Sequence, residues 1–264
     1  MATFDFIEAS SKGYKFLWEE RHAIGRFGLI AAALKFVGFI AITYFGLEQN
    51  FLRHGLVLLP SFFAEGLLVM YAIRHALYNE DMPFQPHART SPASRDGMRL
   101  IWAGTIVYVL IWLTLSFFNG LAMMGTGAPD GGEVPPEPEF KVYLMLTWLL
   151  VCAVWLFRFI WLYVPVAMGY SMRDYLRRIG GFRISLYMMG LWLVCYLPFV
   201  LLLMLFSDMA MIAYPAAEGE TVSKAYEYMM AAAKIIANLA TTVTASVAMA
   251  YGIASIMSGS KSVK

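Results

Sequence analysis

The chain has 264 residues and a formal net charge of +2, with 60% hydrophobic, 16% aromatic and only 14% charged residues. Soluble domains carry about 25% charged residues, so a water-facing surface cannot be assembled from this composition, and the mean hydropathy of +0.62 points the same way. Disordered, collagen-like, coiled-coil and nucleic-acid-binding chains are excluded, and the expected class is all-α: a polytopic membrane protein.

Residues 1–26 carry Asp5, Glu8, Lys12, Lys15, Glu19, Glu20, Arg21 and Arg26. That mixture is too long and too acidic for a cleaved signal peptide, so the first apolar run is expected to stay as an anchor. Phe4, Ile7, Tyr14, Leu17 and Trp18 recur at helical spacing between those charges. The pattern suits an amphipathic helix lying in the cytoplasmic interface, with docking against the bundle as the equal alternative.

Six apolar stretches then reach the roughly 20 residues that a helix needs to cross hydrocarbon. They run approximately over Phe27–Leu47, Gly55–Ala76, Leu100–Leu121, Val142–Tyr163, Ile184–Phe206 and Tyr228–Met257. Basic residues set the orientation. With the N-terminus in the cytoplasm, fourteen of the twenty basic residues fall inside, and only Arg53, Lys141 and Lys224 fall outside; Lys35, Arg158 and Lys234 lie within spans. Both termini are therefore expected in the cytoplasm, with residues 258–264 as a cytoplasmic tail and the protein in a cell inner membrane. Between spans, 79–98 reads as an irregular inner loop and 125–138 as an acidic, Pro/Gly-rich outer loop. No extramembrane piece is long enough for a folded domain. Gly25 with Arg26, Gly97 with Arg99, and Gly181 with Arg183 precede the three outward spans, a pattern that three repeated hairpins would produce.

Charges at membrane depth are costly and face a bundle interior, a cavity or a partner. Glu65 is nearly central in the second span, five residues after Pro60. Lys35 lies about 12 Å from the inner end of the first span, and Arg158 is near the inner end of the fourth, so either cation reaches toward Glu65. The cluster Lys35, Glu65 and Arg158 is read as a structural pair that fixes helix order, with an ion or proton site as the alternative. Lys234, near the outer end of the last span, is expected to snorkel. Ala240, Thr244, Ala248 and Gly252 recur every fourth residue and form a small-residue face for close helix packing or oligomerisation. Arg173, Arg177, Arg178 and Arg183 form a basic inner segment suited to lipid headgroups.

Catalytic and metal motifs are absent. Cys152 and Cys195 lie in apolar runs, and the four histidines share no ligand spacing. Met123, Met124, Met204, Met209, Met211, Met229 and Met230 cluster toward the outer face, but they read as packing rather than a Cu(I) site. No cofactor is expected. The layout resembles that of uncharacterised bacterial six-span inner-membrane proteins with an interfacial N-terminal helix and basic inner turns; this resemblance carries no functional residues. The expected function is a non-enzymatic membrane component (a scaffold, an accessory subunit or an envelope-organising protein). Its partners would be membrane lipids, further copies of the chain or other membrane-protein subunits, and not nucleic acid. The alternatives are a small transporter or channel using Glu65 with Lys35 or Arg158, and an interfacial lipid-modifying enzyme.

Overall fold

The computed structural model describes residues 5–47, 51–81, 95–125, 140–214 and 223–258. Most of the two long loops and of the C-terminal tail expected from the sequence therefore lies outside the described residues.

The first helix, α1, is Phe6–Glu19. It starts where the Asp5 carboxylate accepts hydrogen bonds from the amides of Ile7 at 2.9 Å and Glu8 at 3.2 Å. After it come α2 (Arg21–Tyr44), α3 (Phe51–Val57), α4 (Leu59–Tyr78), α5 (Arg95–Gly125) and α6 (Phe140–Leu156). A 3-10 turn, Phe157–Trp161, leads into α7 (Tyr163–Ala167), and α8 (Met172–Arg178), α9 (Phe182–Ala213) and α10 (Lys224–Ser258) complete the chain.

Five helical segments are long and apolar enough to cross a membrane: Arg21–Tyr44, Arg95–Phe118, Thr147–Ala167, Phe182–Ala213 and Lys224–Met257. Leu29, Val37, Leu110, Leu149, Leu201 and Leu202 stand exposed on them, which is a surface that lipid covers and water does not. The molecule is a membrane-embedded helical bundle. The second stretch read from the sequence is not one of the five. It divides into α3 and the 20-residue α4, which begins at Leu59 with Pro60 in its first turn. α4 is central, packing on α2, α5, α7 and α10, and buries Glu65 and Arg74 along with Leu68, Val69, Met70, Ala72 and Ile73.

The fourth stretch is also not one regular helix. Pro165 has no N–H for the carbonyl of Trp161, and its ring crowds that carbonyl, so the chain tightens into the 3-10 turn before α7. At one end of the bundle, the start of α2, the end of α4, the start of α5, α7, α8 and the end of α10 meet. His75 lies 3.3 Å from Glu20, Arg74 donates to the Ala167 carbonyl, and Arg178 donates to the Met257 carbonyl. This is called the basic end below. α9 and α10 differ sharply: 67% of the apolar window of α10 is buried, against 11% of that of α9.

Candidate functional site

The intramembrane charge cluster is built where α2, α4 and α10 converge. Lys35 Nζ donates to Glu65 Oε2 at 3.1 Å and to the Asn238 side-chain oxygen at 3.3 Å, so one ammonium ties three helices. Glu65 is 2% exposed and Lys35 22%. Gly66, the next residue on α4, lets the Tyr108 ring of α5 lie where a Cβ would come within 3.0 Å of it. The Tyr108 hydroxyl and Glu65 Oε1 are both buried without a hydrogen-bond partner among the described residues. The Tyr108 and Tyr163 rings meet edge to face at 5.1 Å, and the Tyr163 hydroxyl reaches Ser246 Oγ at 2.9 Å.

Arg158 does not join this cluster, which corrects the expectation from spacing. The 3-10 turn swings it to the Ile179 carbonyl at the end of α8, 3.3 Å away, with its guanidinium over the Trp155 and Phe159 rings at 4.1 and 5.0 Å. An arginine needs only an acceptor and an aromatic face, and Arg158 finds both here.

The same use of side-chain donors recurs across the basic half. Arg74 binds both carboxylate oxygens of Glu80 and the Ala167 carbonyl. Tyr78 donates to the Met168 carbonyl, Tyr175 to that of Arg158, and Tyr251 to that of Ala76. Each fastens one segment to the main chain of another, and the Ala167, Met168 and Ala76 carbonyls lie at helix ends that leave them without amide partners.

α1 completes the stitching by docking against the bundle, the alternative to an interfacial helix that the sequence offered. It packs along α10 and α9, burying Ala9, Ser10, Gly13 and Phe16. The face of Thr244 and Ala248 is the seat for α1: a Cβ at Gly13 would stand 2.6 Å from the Thr244 carbonyl oxygen and 3.0 Å from the Ala248 Cβ. Within the small-residue face, the Thr244–Ala248 segment is therefore filled by the chain itself. Beside it, Pro198 inside α9 deprives the Val194 carbonyl of its helical donor, and the Tyr14 hydroxyl supplies one, donating to Val194 at 2.9 Å and Cys195 at 3.0 Å. Burial, and then Cys195, push the Tyr14 phenol up to about 12, so it stays a donor at physiological pH.

Arg173, Arg177, Arg178 and Arg183 stand exposed on α8 and the first turn of α9, next to exposed Met172, Phe182 and Leu186. Away from them, α9 and α10 flank a cavity of about 500 Å³. Ser207, Asp208, Tyr226, Lys234, Asn238 and Thr241 supply its polar lining, and sequence reasoning did not group them. Apart from periodic placement on two helices, the sequence carries no signal for that grouping. No protein-family model, curated protein or solved structure matches the chain.

Proposed function

We propose that this chain is a non-enzymatic integral membrane component (a scaffold, accessory subunit or envelope-organising protein) that acts through helix and lipid contacts. The supporting observation is where the buried donors go. Arg74, Arg158, Tyr14, Tyr78, Tyr175 and Tyr251 all donate to main-chain carbonyls of other segments, and Lys35 ties α2, α4 and α10. Those side chains are engaged in holding one shape rather than in serving a reaction. The exposed length of α9 offers a lateral surface, and the arginines of α8 offer contacts to anionic headgroups. On this reading the chain crosses an inner membrane six times, α4 supplying the sixth crossing, with the basic end in the cytoplasm. α1 then lies at that face with Lys12, Lys15 and Glu19 toward water.

Extraction in mild detergent, followed by mass spectrometry of what co-purifies, tests the reading. A stoichiometric membrane-protein companion supports it. A lone protein that moves ions or solutes in liposomes refutes it.

A second reading, a small transporter, rests on the unpartnered Glu65 Oε1 and on Asn238, which touches Lys35 and also lines the α9–α10 cavity. Under that reading Glu65→Gln abolishes flux and its pH dependence, and full flux in the variant eliminates it.

A further inference from the structure

Across the basic half, Arg74, Tyr78, Tyr175 and Tyr251 are all bonded within the fold. The α9–α10 cavity is different. Asp208 and Lys234 both line it, carry opposite charges, and make no ion pair or hydrogen bond with each other or with any described residue. One polar contact bridges its walls, the 2.7 Å bond between the Ser207 and Tyr226 hydroxyls. That bond sets the relative height of the two helices: Asp208 is one residue farther toward the end of α9, and Lys234 is eight residues down α10. The two backbone positions are thus offset by roughly 13 Å along the bundle, and a lysine stem reaching back toward the headgroup level shortens the gap between the charges.

Alongside lies a second, almost wholly apolar cavity of about 630 Å³, which shares Phe199, Leu203 and Ala237 with the first. A negative group near the membrane surface, a positive group below it and an adjoining greasy slot form an ordered set. A phospholipid with a phosphate–ammonium headgroup has the complementary order, with the ammonium outermost, the phosphate beneath and the acyl chains last. We propose that the α9–α10 cavity binds such a zwitterionic phospholipid, with its ammonium on Asp208, its phosphate on Lys234 and an acyl chain along the apolar slot. Among the described residues only α9 and α10 line the site, so it opens sideways to the bilayer, which makes a membrane lipid rather than a dissolved zwitterion the source. The proposal stands apart from the reading of the bundle as a scaffold, because it rests on the side chains that do not hold the bundle together.

The test uses the full chain purified from, or reconstituted with, equal amounts of phosphatidylethanolamine and phosphatidylglycerol of matched acyl chains, with retained lipid counted by native mass spectrometry. The wild type is expected to retain phosphatidylethanolamine by about tenfold over phosphatidylglycerol, the size of one charge-assisted contact. Asp208→Asn removes that preference, because phosphatidylglycerol keeps the phosphate and lacks only the ammonium. Lys234→Met lowers retention of both lipids. Both residues are exposed, and unchanged melting temperatures establish that the variants fold. Ala237→Phe, which fills the seam shared by the two cavities, lowers retention without altering charge. Equal retention of the two lipids by the wild type, or an undiminished preference in Asp208→Asn, overturns the proposal. Displacement of bound lipid by millimolar phosphoethanolamine overturns the choice of a lipid as the source.

Discussion

The hydroxyl of Tyr14 stands in for an amide that Pro198 cannot provide, and this substitution can be measured. Tyr14→Phe removes the donor and leaves the Val194 carbonyl unpaired within the α1–α9 contact. A buried carbonyl left without a partner costs about 1–3 kcal/mol. The phenol is itself only part-buried, so its removal returns a little desolvation energy, and the expected net loss is about 1–2 kcal/mol. Pro198→Ala restores an N–H four residues beyond Val194, so in that background the carbonyl has its helical partner. Tyr14→Phe then gives up only the weaker share of a bond to Cys195, about 0.5 kcal/mol, and the two substitutions couple by about 1 kcal/mol. Unfolding in mixed micelles, followed by tryptophan fluorescence, gives the four stabilities of the cycle. Equal losses from Tyr14→Phe in both backgrounds would refute the compensation. The phenol ionises at 10 when unfolded and at about 12 when folded. Its contribution is therefore fully present below pH 10 and declines as pH rises from 10 to 12, so the difference between wild type and Tyr14→Phe should be flat through neutral pH.

Gly13→Ala gains roughly 1 kcal/mol of helix propensity but drives a methyl to 2.6 Å from the Thr244 carbonyl, and backbone cannot step aside as a side chain can. Overpacking at about 1–3 kcal/mol prevails, so the melting temperature falls and a cysteine placed at Ser10 becomes open to thiol reagents; a more stable variant with Ser10 still protected would contradict the seat described for α1. Gly104→Ala, by contrast, meets chiefly the flexible Met70 thioether, and its loss should be smaller than that of Gly13→Ala in the same melt; the reverse order would contradict this. Lys35→Met and Glu65→Gln are each destabilising alone, and the double variant recovers part of the sum; strictly additive losses in denaturant titrations would exclude direct coupling. Arg158→Met combined with Glu65→Gln should be additive, since Arg158 lies on the Ile179 carbonyl, and a coupling above 0.5 kcal/mol would argue against that placement.

Apolar length located the five helices long and apolar enough to cross but not the break of the second stretch into α3 and α4. The depth of Lys35 and Glu65 along their runs pointed to a pair, because a charged carboxylate in hydrocarbon is stabilised by a cation. Arg158 had an equal claim by depth. What separates the two cations is the 3-10 turn ahead of Pro165, and the partner that takes Arg158 is a main-chain carbonyl, which no side-chain pattern announces. The face from Ala240 to Gly252 was legible as a close-packing surface, yet nothing in its spacing says which helix fills it. Gly13 marks the contact only once the structure shows α1 against Thr244 and Ala248. Tyr14 carries no sign of its role unless Pro198 is read as a carbonyl that has lost its donor. Asp208 and Lys234 sit on separate helices and come to line one cavity only because α9 packs beside α10.

The segment that seats on Thr244 and Ala248 leaves the ribosome long before its seat is made. Some 231 residues separate Gly13 from Thr244, which at about 5–20 residues per second is roughly 12–46 s of synthesis. Throughout that interval Phe16 and Ala9 have no groove to enter, and the Val194 carbonyl, once inserted, awaits Tyr14. The amphipathic character of α1 gives it somewhere to wait, flat on the bilayer, until α10 arrives. A nascent chain stalled before residue 244 should therefore hold α1 in a protease-sensitive, membrane-adsorbed state, and synthesis of α10 would let it close.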